Sequence, residues 1–220
     1  NLFGGRESVV YQSLPDARLK AVQRISMSKG AIGFAFGDIA GDAAVDVFVA
    51  HWDIIAKPAR APAMMENRGG FLYPVDDDVG TSGADLEQNF HFSPGFVDID
   101  LDGDLDLTIA SDFGTSEVLR NDDGRFDVIT DRAVINDENG MGSAIGDFNN
   151  DGVPDWFVTA IRNYKNTGDF KWGISGNRLY LGDRTASTGF RDATEGSGVR
   201  DGAWGWGACA ADFNNDGWLD

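Results

Sequence analysis

Four times along the chain a glycine-rich apolar stretch runs into an aspartate-rich loop and out into a short β-branched and aromatic run. The copies read GFAFGDIAGDAAVDVFVA at 33–50, GFVDIDLDGDLDLTIA at 95–110, GSAIGDFNNDGVPDWFVTA at 142–160 and GACAADFNNDGWLD at 207–220. Their leading aspartates, Asp38, Asp98, Asp147 and Asp212, lie 60, 49 and 65 residues apart. A repeated unit of this length restricts the chain to an architecture in which each copy buries its apolar face against the next.

A second shared half follows the loops, as VLRNDDGRFDVITDRAV at 118–134 and RLYLGDRTASTGFRDATEGSGV at 178–199, with a weaker copy, ENRGGFLY, at 66–73. The alternation in Asp155-Trp156-Phe157-Val158 and Leu179-Tyr180-Leu181, bounded by Gly and Asp, predicts short strands. About four strands per repeat and no sustained helical period give an all-β fold, a β-propeller of four-stranded blades with loops in its hairpins. Residues 1–220 are expected to hold three to four blades of a larger propeller, truncated at both ends. Asn1-Leu2-Phe3 resembles Asn177-Arg178-Leu179-Tyr180, which would start the chain midway through a blade.

The loops carry the chemistry. A hard cation such as Ca²⁺ takes six to eight oxygens, so carboxylates on alternate residues can wrap it. In the second loop Asp98, Asp100, Asp102 and Asp106 fill positions 1, 3, 5 and 9, and Asp104 would offer its carbonyl from position 7. The third repeats the spacing with Asp147, Asn149, Asp151, the Val153 carbonyl and Asp155. The fourth does so with Asp212, Asn214, Asp216, the Trp218 carbonyl and Asp220. Gly103, Gly152 and Gly217 take the turn position. The intervening Ile99, Leu101, Phe148 and Phe213 are expected to point the other way and pack. In the first loop Asp38, Asp42 and Asp46 keep the spacing, but Ala40 replaces a ligand and Ala43 the turn glycine, so a fourth calcium site there is the weakest expectation. Asp-Gly turns also close hairpins without metal; three in register favour about three calcium sites. An EF-hand is disfavoured, since no position-12 Glu follows and no flanking helices are readable.

Charge agrees. The chain has 36 acidic and 18 basic residues, a net −18, which opposes binding to nucleic acid or anionic lipid. Ten of the aspartates stand at ligand positions of the three good loops, and three Ca²⁺ would move −18 to −12. Cys209 is the lone cysteine, so a disulfide framework or CxxC site is excluded. No apolar run is long enough to span a membrane.

These motifs resemble the FG-GAP/VCBS repeat family, which includes the integrin α-subunit propeller. FRDATEGSGV at 190–199 and WGWGACAADFNNDG at 204–217 are similar to the cartilage acidic protein group, often joined to an ASPIC/UnbV domain. The resemblance covers about residues 30–220. It implies a seven- or eight-bladed propeller, calcium in the hairpin loops, and an extracellular, cell-surface or periplasmic setting. The degenerate first loop and the insertion between Ala50 and Phe96 depart from the pattern and put the first half of the second blade in question.

No catalytic constellation stands out. His51 and His91 sit in strand-like runs without a Ser or Cys motif, and Cys209 reads as a small strand hydrophobe. Trp204 and Trp206, alternating with glycine, would share a strand face, packing between blades or stacking on a sugar. Lys57–Met65 reads as an exposed excursion. The leading expectation is a noncatalytic, calcium-stabilised module that adheres to or assembles with a protein or glycan partner at the cell surface, or with other subunits of a surface complex. The alternative is the propeller of a calcium-dependent polysaccharide lyase or a lectin-like protein. A groove lined by Lys/Arg with His and Tyr would favour the lyase, and an unbroken acidic surface the scaffold.

Overall fold

A computed structural model describes residues 7–27, 30–52, 63–81, 90–162 and 173–220. The strand-like start at Asn1–Phe3 and most of the excursion after Lys57 lie outside the described residues.

Each of the first three repeats becomes a meander of four antiparallel strands. The first blade is β3 (Ala31–Gly37), β4 (Asp46–His51), β5 (Met64–Arg68) and β6 (Phe71–Pro74). The second is β7 (His91–Val97), β8 (Asp106–Ser111), β9 (Glu117–Asp122) and β10 (Arg125–Val128). The third is β11 (Gly140–Gly146), β12 (Asp155–Ala160), β13 (Arg178–Gly182) and β14 (Phe190–Asp192). In each, strands pair in sequence order. The insertion therefore leaves the second blade whole and houses the outer strands of the first. A two-stranded hairpin, β1 (Glu7–Ser13) and β2 (Leu19–Ser26), precedes the blades; the repeat pattern gives no sign of it.

The blades stack face to face, and the cores lie between sheets. Alternation along a strand sends neighbouring side chains to opposite faces. In β4, Phe48 and Ala50 join Leu107, Ile109 and Phe126 between the first two blades, while Val47 and Val49 meet Met27 and Met65 beneath the hairpin. Between the second and third blades Ala110 and Val118 pack with Trp156, Val158, Tyr180 and Phe190. Burying each of the larger side chains contributes about 1.5–3 kcal/mol. The first strands of the blades lie side by side at the inner edge, β7 between β3 and β11. Glycine permits that approach: a Cβ at Gly33 would collide with the Phe92 carbonyl, and one at Gly95 would sit 2.6 Å from Ile145 Cδ1.

The fourth repeat continues the stack without a ladder of its own among the described residues. A Cβ at Gly142 would lie 2.7 Å from the Trp206 carbonyl and 2.8 Å from the Ala208 nitrogen, so 206–208 runs beside β11. Cys209 is exposed, not enclosed in a strand as expected, because no described segment pairs with it. Trp204 bridges Ile161, and Trp206 sets its ring edge-on to Phe92 at 5.7 Å, while both indoles stay about half exposed.

At the outer edge of the first blade, the Gln23 side chain donates to the Leu72 carbonyl (2.7 Å) and accepts the Leu72 N–H (2.8 Å), standing in for a strand neighbour of β6.

Candidate metal centre

The first three aspartate loops each join the first and second strands of a blade, so these three lie at one end of the stacked sheets. The four loops are folded by the same hydrogen bonds. The position-1 carboxylate accepts the N–H groups of positions 5 and 6: Asp38 from Asp42 and Ala43, Asp98 from Asp102 and Gly103, Asp147 from Asp151 and Gly152, Asp212 from Asp216 and Gly217. The position-5 carboxylate then accepts the N–H of position 7, from Ala44, Asp104, Val153 and Trp218.

The position-9 aspartate ties each loop to the sheet. Asp46, Asp106, Asp155 and Asp220 accept the N–H of Ile39, Ile99, Phe148 and Phe213 at 2.8–3.0 Å. In the three complete blades the other carboxylate oxygen accepts an N–H from the third strand: Asn67, Asn121 or Gly182. These three carboxylates are fully buried. Burial is the main cause that raises them all above the usual carboxylate range, and Asp106 is pushed up to about 6 despite its two backbone donors.

The first loop keeps this fold although Ala43 stands at the turn position with φ 65° and Ala40 offers no ligand. The scaffold of hydrogen bonds is therefore separable from the ligand set.

In the second loop carboxylate oxygens of Asp98, Asp100 and Asp106 lie within 4.8 Å of one another. Two oxygens on opposite sides of a Ca²⁺ are separated by about twice 2.3–2.6 Å, so this spacing suits one cation. Asp100 Oδ1 is buried and has no hydrogen-bond partner. Burial, then the neighbouring Asp102, raises the Asp100 carboxyl, with Arg120 among the influences opposing the rise. Asp102 is exposed and outside that trio, and Asp104 contributes its N–H to the loop. In the third and fourth loops Asn149 and Asn214 replace the position-3 carboxylate and bond the position-5 N–H at 2.8 Å.

Two side chains expected to pack do not. Ile99 is buried beneath Gly189 of the next blade, but Leu101 sits at φ 61° where the chain reverses, and alternation fails there. Phe213 holds the place of Ile99 in the fourth repeat, yet no described sheet covers it, and it is 68% exposed.

Residues 98–158 match the family described as FG-GAP-like repeat. The chain carries an FG-GAP-like repeat. The matched FG-GAP-like segment begins at the first aspartate of the carboxylate trio and ends inside β12, so it frames two successive loops and the strands between them. No curated protein matches the chain. Among the described residues no helix is long and apolar enough to cross a membrane.

The histidines lie elsewhere. His51 and His91 are buried in strands at the opposite end of the sheets, and His91 Nδ1 is 2.8 Å from Ser111 Oγ. What sequence reading missed is a basic groove at that opposite end, lined by Arg162, Arg178 and Arg200. These residues belong to no motif, and only the fold brings them together.

Proposed function

We propose that this protein is a noncatalytic, calcium-stabilised propeller module that works outside the cytoplasm and presents a binding surface to a partner. The observation that carries the calcium reading is the convergence of Asp98, Asp100 and Asp106 around the orphaned Asp100 Oδ1. Asp147, Asn149, Asp151 and Asp155, with the Val153 carbonyl, and Asp212, Asn214, Asp216 and Asp220, with the Trp218 carbonyl, are the proposed ligands of two further ions. The shared hydrogen-bond scaffold of the loops supports that extension. The three- to four-blade span belongs, on this reading, to a seven- or eight-bladed ring. The FG-GAP-like repeat and the likeness of 190–217 to the cartilage acidic protein group support an extracellular setting. Calcium there would be structural, binding the folded loops and drawing the folding equilibrium by mass action.

Thermal unfolding of the intact protein in roughly 2 mM Ca²⁺ and in excess chelator tests this. A rise of many degrees with calcium, abolished in Asp98→Ala, supports the reading, and superimposable transitions would end it.

A second reading, a glycan-binding propeller, is favoured by the arginine groove at the face opposite the loops.

A further inference from the structure

The protein carries half as many basic as acidic residues, 18 against 36, yet three arginines converge on one groove. Its lining is completed by Asn136, Glu138, Ile174 and Ser175, and it encloses about 630 Å³. Strand directions place it. β12 leaves its aspartate loop at Asp155 and reaches Ala160, so Arg162 lies at the far end; β13 runs back antiparallel from Arg178, paired with Val158. Arg200 arrives on the segment whose carbonyl accepts the Asn177 N–H at 3.1 Å. Gly176, at φ 68°, is the pivot: a Cβ there would collide with the Arg200 carbonyl and stand 3.0 Å from Arg162 Cδ and 3.1 Å from Arg200 Cγ. Any larger residue would push the two arginine stems apart.

Two of the guanidiniums are incompletely used. Arg178 is 93% buried (7% exposed), and its Nε is a buried donor without a partner; so is Nε of Arg200. The buried Asp137 interacts electrostatically with Arg178, and three further carboxylates pair with the arginines. Asp192 is 4.0 Å from Arg178, Glu195 is 3.3 Å from Arg200 and 89% exposed, and Asp201 pairs with Arg162. Of these, Arg200–Glu195 is an exposed pair of the kind that holds its charges weakly. Glu138 lines the groove, but one of its oxygens already accepts the N–H groups of Ile174 and Ser175 at 2.5 and 2.6 Å. A buried arginine with an unmet donor, flanked by two more, is a binding site for an oxyanion, which guanidinium forks grip with charge-assisted hydrogen bonds.

We infer that this groove binds the carboxylate of a uronate unit in an acidic saccharide. Apolar ground for a sugar ring lies beside the charge: Ile174 is 57% exposed, and Trp204, next to the Ala203 carbonyl that accepts the Arg162 N–H, is 50% exposed. Asn136 supplies a polar group for a hydroxyl. The net charge of −18 sets a limit on the ligand. A densely charged polyanion is repelled by the rest of the surface, so the groove suits one acidic unit at a chain end or between neutral sugars. This rests on the glycan-binding reading, not on the calcium loops at the other face.

Calorimetric titration of the intact protein at fixed calcium, with a glucuronate-capped oligosaccharide and its glucose-capped counterpart, tests it. The expected result is at least tenfold tighter binding of the acidic sugar, falling about tenfold in Arg162→Gln and in Arg200→Gln and unchanged in Arg18→Gln. Arg162 and Arg200 are partly exposed, so the substitutions leave the fold testable by an unaltered melting curve. Equal binding of both sugars, or arginine variants that bind like the parent, overturns the inference. Tighter binding of a sulfated neutral sugar reassigns the oxyanion to sulfate, and capture of an acidic peptide with no saccharide binding replaces the ligand class. A failure of the calcium melt alone leaves this result standing, because the groove contains none of the loop residues.

Discussion

The indole N–H of Trp52 lies 2.9 Å from a carboxylate oxygen of Asp112, joining the end of the first blade's second strand to the corresponding end of the second blade. Burial pushes the Asp112 carboxyl up to about 6, with Asp137 adding to the rise and the Trp52 bond opposing it. Between about pH 4 and 6 the folded protein thus holds a proton here that the unfolded chain, near 3.8, has released. Stability from this group is greatest below the unfolded value and declines as pH rises through the folded one. Asp112→Asn keeps an acceptor for Trp52 and removes the charge. It should stabilise the protein at pH 7 by on the order of 1 kcal/mol and flatten that pH window in denaturant titrations. An unaltered pH profile would refute the assignment.

The two roles of the loop aspartates can be separated. Asp106 holds the N–H groups of Ile99 and Asn121, so Asp106→Ala should cost about 2–4 kcal/mol even in chelator. Asp100→Asn, where one oxygen has no protein partner, should be neutral or stabilising in chelator and should lose much of any calcium-induced stabilisation. Denaturation midpoints of both variants with and without calcium check this pair of outcomes.

The first loop can be improved. Ala43 is held at φ 65°, a conformation that disfavours a side chain, so Ala43→Gly should raise stability by about 0.5–1 kcal/mol without calcium. Adding Ala40→Asp should make the gain calcium-dependent. Calorimetry on the single and double variants would detect both steps, and a destabilised Ala43→Gly would show that the loop is not strained there.

Tyr180 is fully buried and its hydroxyl serves three groups: it accepts the N–H of Asn136 and Asp137 at 3.2 Å and donates to the Asp137 carboxylate at 3.1 Å. Tyr180→Phe leaves buried polar atoms unmet at the heart of the third blade. A loss of about 1–3 kcal/mol is expected, measured by equilibrium unfolding; a change below a few tenths would mean the segment before β11 is held by packing alone.

The repeat was legible because one loop chemistry recurs at fixed offsets, and the strands follow from the alternation on either side of it. Of the five second-loop aspartates nominated by spacing, Asp98, Asp100 and Asp106 are the three whose oxygens lie together. The structural duty of Asp106 and Asp155 was not legible, since it depends on N–H groups of Asn121 and Gly182, supplied by a strand farther along the chain. The arginine groove was equally hidden: residues 162, 178 and 200 meet only because Gly176 turns the chain without a side chain in the way. The hairpin before the blades has neither the loop nor the aromatic signature, and its strands are mostly exposed, so its sequence carries little of the pattern that marked the rest.

Gln23 lends its amide to the backbone of Leu72 on the outermost strand of the first blade. Open β-edges recruit further strands from other molecules. A side chain that occupies one rung from within denies an incoming chain an unbroken register, so Gln23→Ala is expected to leave this edge more open to pairing with another chain.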